Sequence, residues 1–198
     1  MEIYLVRHPR PSQTEGLCYG RTDMPVDPDA LAAAVASVRS RIPAYIQRRA
    51  AIFTSPAPRC LGLARGLAAP REPGVVEELH EMHFGAWEGV PWTSVPRVEL
   101  DAWASDVWTY RPGGGESAAM VAARWRRWAT RVAARIAEGD APVIAVTHAG
   151  LIRIALAGAG RLGPELSLDV PFASVHRVEL DSVDLGGVDI DASQACTP

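Results

Sequence analysis

Four short segments place histidine, arginine and carboxylate side chains directly after apolar runs. Arg7-His8 follows Glu2–Val6, and Ser55 and Arg59 follow Ala51–Thr54. His80, Glu81 and His83 follow Val75–Leu79, and Thr147-His148 follows Pro142–Val146. Such a set suits phosphoryl transfer through a histidine. A neutral imidazole attacks phosphorus and carries the phosphoryl group covalently. Guanidinium forks and a second imidazole neutralise the equatorial oxygens. A carboxyl group protonates the leaving alkoxide and later takes a proton from water. Arginine supplies the positive charge in this scheme, so no metal and no cofactor is expected. Other chemistries lack their signatures. There is no Gly-x-Ser-x-Gly elbow, and Gly113-Gly114-Gly115-Glu116-Ser117 has neither the Walker lysine nor dinucleotide spacing. His80 and His83 do not form a His-Glu-x-x-His pair, and no third ligand is evident.

Each residue alone has a plainer reading. Arg7-His8 is an ordinary surface pair, His148 a satisfied turn histidine, and Glu81 a solvated carboxylate. Arg59 at a helix start opposes the helix dipole, which favours a task for it, and a helix start after His148 is an anion site. The joint occurrence of the set carries the functional reading.

The elements that must position these residues alternate between strand and helix. Strands are expected at Glu2–Val6, Ala51–Thr54, Val75–Leu79, Pro142–Val146 and Phe172–Leu180. Helices are expected at Asp29–Ser40, Arg59–Ala68 and Val98–Trp108, and after Gly150. The strongest helix opens at Glu116-Ser117, with Val121, Trp125, Trp128, Val132 and Ile136 on one face. Arg124, Arg127, Arg131 and Arg135 are assigned mostly to its solvated faces. His80–Val95 reads as loop, and the tryptophans read as core or pocket wall. The pattern predicts a three-layer α/β/α sandwich with a mainly parallel sheet. Ligands in such folds sit outside the carboxyl ends of the strands, where the His, Arg and Glu set gathers. One domain is expected over residues 1–190, with a loose tail over 191–198.

Composition narrows the partners. The chain has 198 residues, 23 acidic and 20 basic, for a net charge of −3, and every basic residue is arginine. A mildly acidic chain without a basic run argues against a nucleic-acid or anionic-membrane partner. Ile3–Val6 is too short for a signal segment, no stretch has the apolar length of a membrane helix, and Cys18, Cys60 and Cys196 form no CxxC pair. The expected setting is cytoplasmic, with a small-molecule phosphomonoester as partner and a homodimer held open.

Four segments, in order, resemble the histidine phosphatase superfamily, with its phosphoglycerate mutase-like fold. They are Leu5-Val6-Arg7-His8, Ser55-Pro56-Ala57-Pro58-Arg59, the stretch from Glu81-Met82-His83 through Trp87-Glu88-Gly89, and Thr147-His148-Ala149-Gly150. Gly114-Gly115-Glu116-Ser117 resembles a further motif of that family. The resemblance implies that His8 is the phosphorylated nucleophile, that Arg7, Arg59 and His148 form the phosphate pocket, and that Glu81 is the proton donor. It also implies substrate contacts from Thr14, Tyr19, Gly20, Arg21 and Ala149.

The chain departs from the pattern after the nucleophile. The family usually has glycine where Pro9 stands, and often Thr and Asn where Pro11 and Thr14 stand. Proline keeps a carbonyl able to orient the imidazole and restricts His8 to extended backbone. The stretch from Cys18 to Val26 is similar to the corresponding one in α-ribazole phosphatases, which implies α-ribazole 5′-phosphate as substrate and a place in cobalamin assembly. A mutase-type activity, a broad-specificity phosphatase and a non-catalytic anion- or metal-binding module are the alternatives.

Overall fold

The computed structural model describes residues 2–136, 141–157 and 168–179. The expected tail over 191–198, Cys196 and Leu180 lie outside them. Five strands form one sheet: β1 (Glu2–Arg7), β2 (Ala51–Thr54), β3 (Gly74–Val75), β4 (Val143–Thr147) and β5 (Val175–Glu179), in the order β3-β2-β4-β1-β5. The pairings β1 with β4, β2 with β4 and β2 with β3 are parallel, and among the described residues β5 alone runs antiparallel, beside β1.

Alternation along the strands builds two cores at once, because successive side chains point to opposite faces. Ile3, Leu5, Val143 and Ala145 enter one core with Val121, Trp125, Trp128 and Ile152. Tyr4, Val6, Ile144 and Val146 enter the other with Val38, Ile46 and Leu63. Helices α5 (Ala118–Ile136) and α6 (Ala149–Ala157) cover the first face. The second is covered by α1 (Pro28–Arg41), α2 (Ala44–Arg49) and α3 (Pro58–Ala68). The expected α/β/α sandwich is therefore present.

Local signals set the helix ends. Asp27 caps α1 by accepting from the Asp29 and Ala30 amides, and Pro28 opens the helix, where a missing N–H costs nothing. Beyond Pro43 the chain forms α2, an element absent from the expected helices. A shorter α4 (Arg97–Ser105) replaces the helix expected over Val98–Trp108. The third strand is also shorter than expected: β3 stops at Val75, and Glu77–Leu79 is a 3-10 turn. Two adjacent glutamates and a lone buried Leu79 serve an exposed turn better than a core strand. No helix of the described residues is long and apolar enough to cross a membrane.

The parallel register is what the site inherits. Arg7 pairs with Thr147 across β1 and β4, so His8 and His148 leave the sheet side by side. The His8 amide bonds the Thr147 carbonyl at 3.0 Å, and the Ser55 amide bonds the Val146 carbonyl at 2.9 Å.

Candidate active site

His8 and His148 are buried with their rings edge to face, centroids 5.0 Å apart. His8 Nδ1 lies 2.7 Å from the Pro9 carbonyl. A carbonyl only accepts, so Nδ1 carries the proton and Nε2 keeps its lone pair. Pro9 thus provides the orienting carbonyl expected from the sequence. Burial, reinforced by the Arg59 and Arg7 charges, pushes the His8 pKa down to about 3, although the Pro9 bond opposes the shift. The ring is therefore neutral at ordinary pH, the form a nucleophile needs. Burial, then His8 and Arg59, hold the His148 pKa well below the usual histidine value.

Arg59 sits on the first turn of α3, which packs it inward, and it is 1 % exposed. Its guanidinium donates to the Thr22 carbonyl at 2.8 Å, to the Gly20 carbonyl, and to His148 Nδ1 at 3.4 Å. His148 Nε2 then donates to Ser55 Oγ at 2.9 Å. Arg7 donates to the Val170 carbonyl and lies 3.7 Å from the Phe172 ring centroid. The Nε–H groups of Arg7 and Arg59 are both buried with no acceptor among the described residues. Two such donors on two cations, beside a neutral imidazole with a free lone pair, are groups an anion would satisfy.

Glu81 follows the 3-10 turn and is held from both sides. Its carboxylate accepts from the Met82 amide at 3.0 Å and the Gly150 amide at 3.2 Å. Behind it, Arg124 on α5 is buried. It donates to the carbonyls of Glu78 and His80, each at 2.7 Å, and of Glu81 at 3.0 Å, and it pairs with Glu116. The Thr147 hydroxyl ties β4 to the same turn through the Leu79 carbonyl at 2.7 Å.

Placing Arg124 on a solvated helix face is therefore incorrect. It stands three residues after Val121, but Arg131 stands three after Trp128 and is exposed, so helical spacing alone does not single Arg124 out. Arg127, Arg131 and Arg135 are exposed, as expected.

The loop bearing the other substrate candidates is organised by Glu88. Its carboxylate accepts from the amides of Arg21 at 3.0 Å, Thr22 at 2.8 Å and Phe84 at 3.0 Å, and from the Thr22 hydroxyl. These bonds hold its pKa below the ordinary carboxylate range against the opposing effect of burial. Gly20 has φ +31°, and a Cβ there would meet Glu88 Oε1 at 2.4 Å. Tyr19 lies under Arg59, 5.3 Å from guanidinium carbon to ring centroid. The Arg21 guanidinium pairs with Glu116 at 3.1 Å and reaches the Glu81 carbonyl. Thr14 Oγ1 donates to the Pro11 carbonyl at 3.4 Å. Ala149 is the first residue of α6.

The structure thus gathers His8, Arg7, Arg59 and His148 at one sheet edge, and Gly150 ties Glu81 to it. The sequence reading missed Arg124, Glu88 as loop organiser, and Phe172. Glu88 lies inside one of the family-like segments, whereas Phe172, expected to open the last strand, precedes β5 at Val175 and carried no functional signal. His80 pairs with Glu77 and His83 faces Glu88. Among the described residues no group of three or more His, Cys, Asp or Glu is placed to hold a metal ion.

The profile of the "Histidine phosphatase superfamily (branch 1)" matches residues 3–186. No curated protein matches the chain. Among solved structures, mycobacterial glucosyl-3-phosphoglycerate phosphatase in complex with VO3 is similar at 26% identity and TM-score 0.76, covering 90% of this chain and 92% of that one. The Bacillus stearothermophilus protein YhfR is similar at 25% identity and TM-score 0.76, covering 91% and 92%. A Thermus thermophilus protein reaches 30% identity with TM-score 0.67, covering 90% and 93%.

Proposed function

Because the chain belongs to the histidine phosphatase superfamily (branch 1) and is a phosphoric monoester hydrolase, we propose that it works without a metal, through a phosphohistidine on His8. The observation that carries this reading is the pair of unsatisfied buried Nε–H donors on Arg7 and Arg59, beside an imidazole whose Nδ1 is occupied by Pro9. In the first step His8 Nε2 forms a bond to phosphorus as the ester P–O bond breaks, and Glu81 gives its proton to the leaving oxygen. In the second step Glu81 takes a proton from water, the resulting hydroxide attacks phosphorus, and His8 is released. Arg7 and Arg59 meet the charge on the equatorial oxygens. His148 Nδ1 accepts from the same Arg59 Nη2 that donates to the Gly20 carbonyl, while Nη1 is held by Thr22.

α-Ribazole 5′-phosphate is the substrate we put forward. The stretch from Cys18 to Val26 that resembles α-ribazole phosphatases is the same stretch whose carbonyls hold Arg59. The partner is a small phosphomonoester rather than a nucleic acid or a membrane, and the setting is cytoplasmic. Tyr19 and the Ala149 end of α6 border the phosphate, while Arg21 acts through its bond to Glu116.

The test is acid quenching of the enzyme during turnover of a labelled phosphomonoester. Acid-labile phosphate on His8, lost in His8→Asn together with hydrolysis, is the expected result. Retained hydrolysis in that variant overturns the mechanism. Transfer to a second hydroxyl faster than to water replaces the hydrolase with a mutase.

A further inference from the structure

Beside Glu81 lies a cavity of about 260 Å³, lined by Met82, Phe84, Trp103, Val107, Ala118 and Ile154, with Glu81, Gly150 and Arg153 at its polar edge. Its walls come from the Glu81–Phe84 segment, the end of α4 and the segment after it, the start of α5, and α6. We propose that this cavity receives the alcohol portion of the substrate and selects a flat apolar group, an aromatic ring above all. The proposal rests on the phosphatase reading of the same site.

The geometry of displacement leads there. The entering imidazole and the leaving oxygen stand on opposite sides of phosphorus. The leaving oxygen must also come within hydrogen-bond reach of the acid, Glu81. Its carbon substituent therefore extends from Glu81 away from His8. The cavity is bordered by Glu81 itself and by Gly150, whose amide holds the Glu81 carboxylate at 3.2 Å, so it adjoins the acid that the leaving oxygen must reach.

Wall chemistry then selects among alcohols. Phe84 and Trp103 meet edge to face, centroids 5.8 Å apart and planes at 90°, which presents a rigid aromatic corner. Met82 and Ala118 are buried, and Phe84 and Val107 pack against the same core cluster. Against Met82, Phe84, Val107, Ala118 and Ile154 a polyhydroxylated or zwitterionic group would surrender water and find partners only at Trp103 Nε1 and the polar edge, whereas a ring would replace water on apolar walls at less cost. At the polar edge Arg153 is anchored through Nε to the Leu168 carbonyl at 2.9 Å, beside the apolar walls rather than among them.

The test compares 2-phenylethyl phosphate with ethyl phosphate. Both are primary alkyl esters with similar demands on the acid, so the comparison isolates the ring. The expected kcat/KM ratio is about tenfold or more in favour of the phenylethyl ester, the usual scale for an apolar group entering a matching pocket. Filling the cavity with Val107→Phe should bring that ratio to within about threefold of one. In the unmodified enzyme, free 2-phenylethanol should inhibit competitively where ethanol at equal concentration does not, which reads the same cavity without relying on a variant's folding. A wild-type ratio near one, with phosphate still trapped on His8, overturns the pocket assignment alone. Failure to hydrolyse either ester, with no phosphate on His8, removes the phosphatase reading and this inference with it.

Discussion

The Gly150 amide lies 3.2 Å from Glu81 Oε2, and a Cβ built on Gly150 would stand 2.5 Å from Glu81 Oε1. One glycine therefore both fixes the carboxylate through its N–H and leaves room for it by lacking a side chain. It lies on the first turn of α6, where alanine is otherwise the better helix former by about 1 kcal/mol.

Helix propensity and catalysis consequently oppose each other at this position. Gly150→Ala should leave the melting temperature unchanged or slightly higher, yet lower kcat for alkyl phosphates by about 10–100-fold, because the acid is pushed from its place. Activated aryl phosphates should suffer less, since their leaving group needs little protonation. Glu81→Gln should show the same dependence on leaving group. Equal losses for both ester types in both variants would remove Glu81 as the acid.

Arg124 supports the same carboxylate from behind. Arg124→Met would leave the Glu78, His80 and Glu81 carbonyls and the Glu116 carboxylate without their shared donor. Breaking one side of a buried ion pair costs about 3–5 kcal/mol. Urea unfolding should register a loss of that order, partly recovered in Arg124→Met with Glu116→Gln. A single variant as stable as wild type would contradict the clamp.

Glu88 acts on the phosphate pocket at one remove. Glu88→Gln replaces an acceptor oxygen with an NH2 group facing the Arg21, Thr22 and Phe84 donors. The loop carbonyls that hold Arg59 should then lose their position, and inhibition by inorganic phosphate should weaken by about tenfold, the worth of one charge-assisted hydrogen bond. Unchanged phosphate inhibition would separate the loop from the pocket.

The two buried histidines make stability fall in acid. His8 has a folded pKa near 3 and His148 lies well below the usual value, whereas both titrate near 6.5 when unfolded. Below about pH 6.5 the unfolded chain thus binds protons that the folded chain refuses. Stability is fully present above that pH and is lost as pH falls toward the folded values, each histidine adding a slope of up to about 1.4 kcal/mol per pH unit. Urea midpoints at pH 7 and pH 5 measure this, and His8→Asn should reduce the slope. Equal midpoints at both pH values in the wild type would refute the assignment of neutral, buried rings.

By itself the sequence determined the α/β/α layering, since period-two apolar strands alternating with amphipathic helices can bury both sheet faces in few other ways. It also determined which side chains stand at the strand ends: Arg7-His8, Ser55, Arg59 and Thr147-His148 occupy sequence positions that the parallel register carries to one edge. Local pattern could not reveal which charges that edge would bury. Arg124 and Arg131 have the same chemistry about two turns apart on α5, yet Arg124 is 5 % exposed and holds four partners, while Arg131 lies on the surface. The difference comes from the carbonyls of Glu78, His80 and Glu81, which arrive from more than forty residues away. A buried charge is stable only where such partners converge, and that convergence belongs to the tertiary structure.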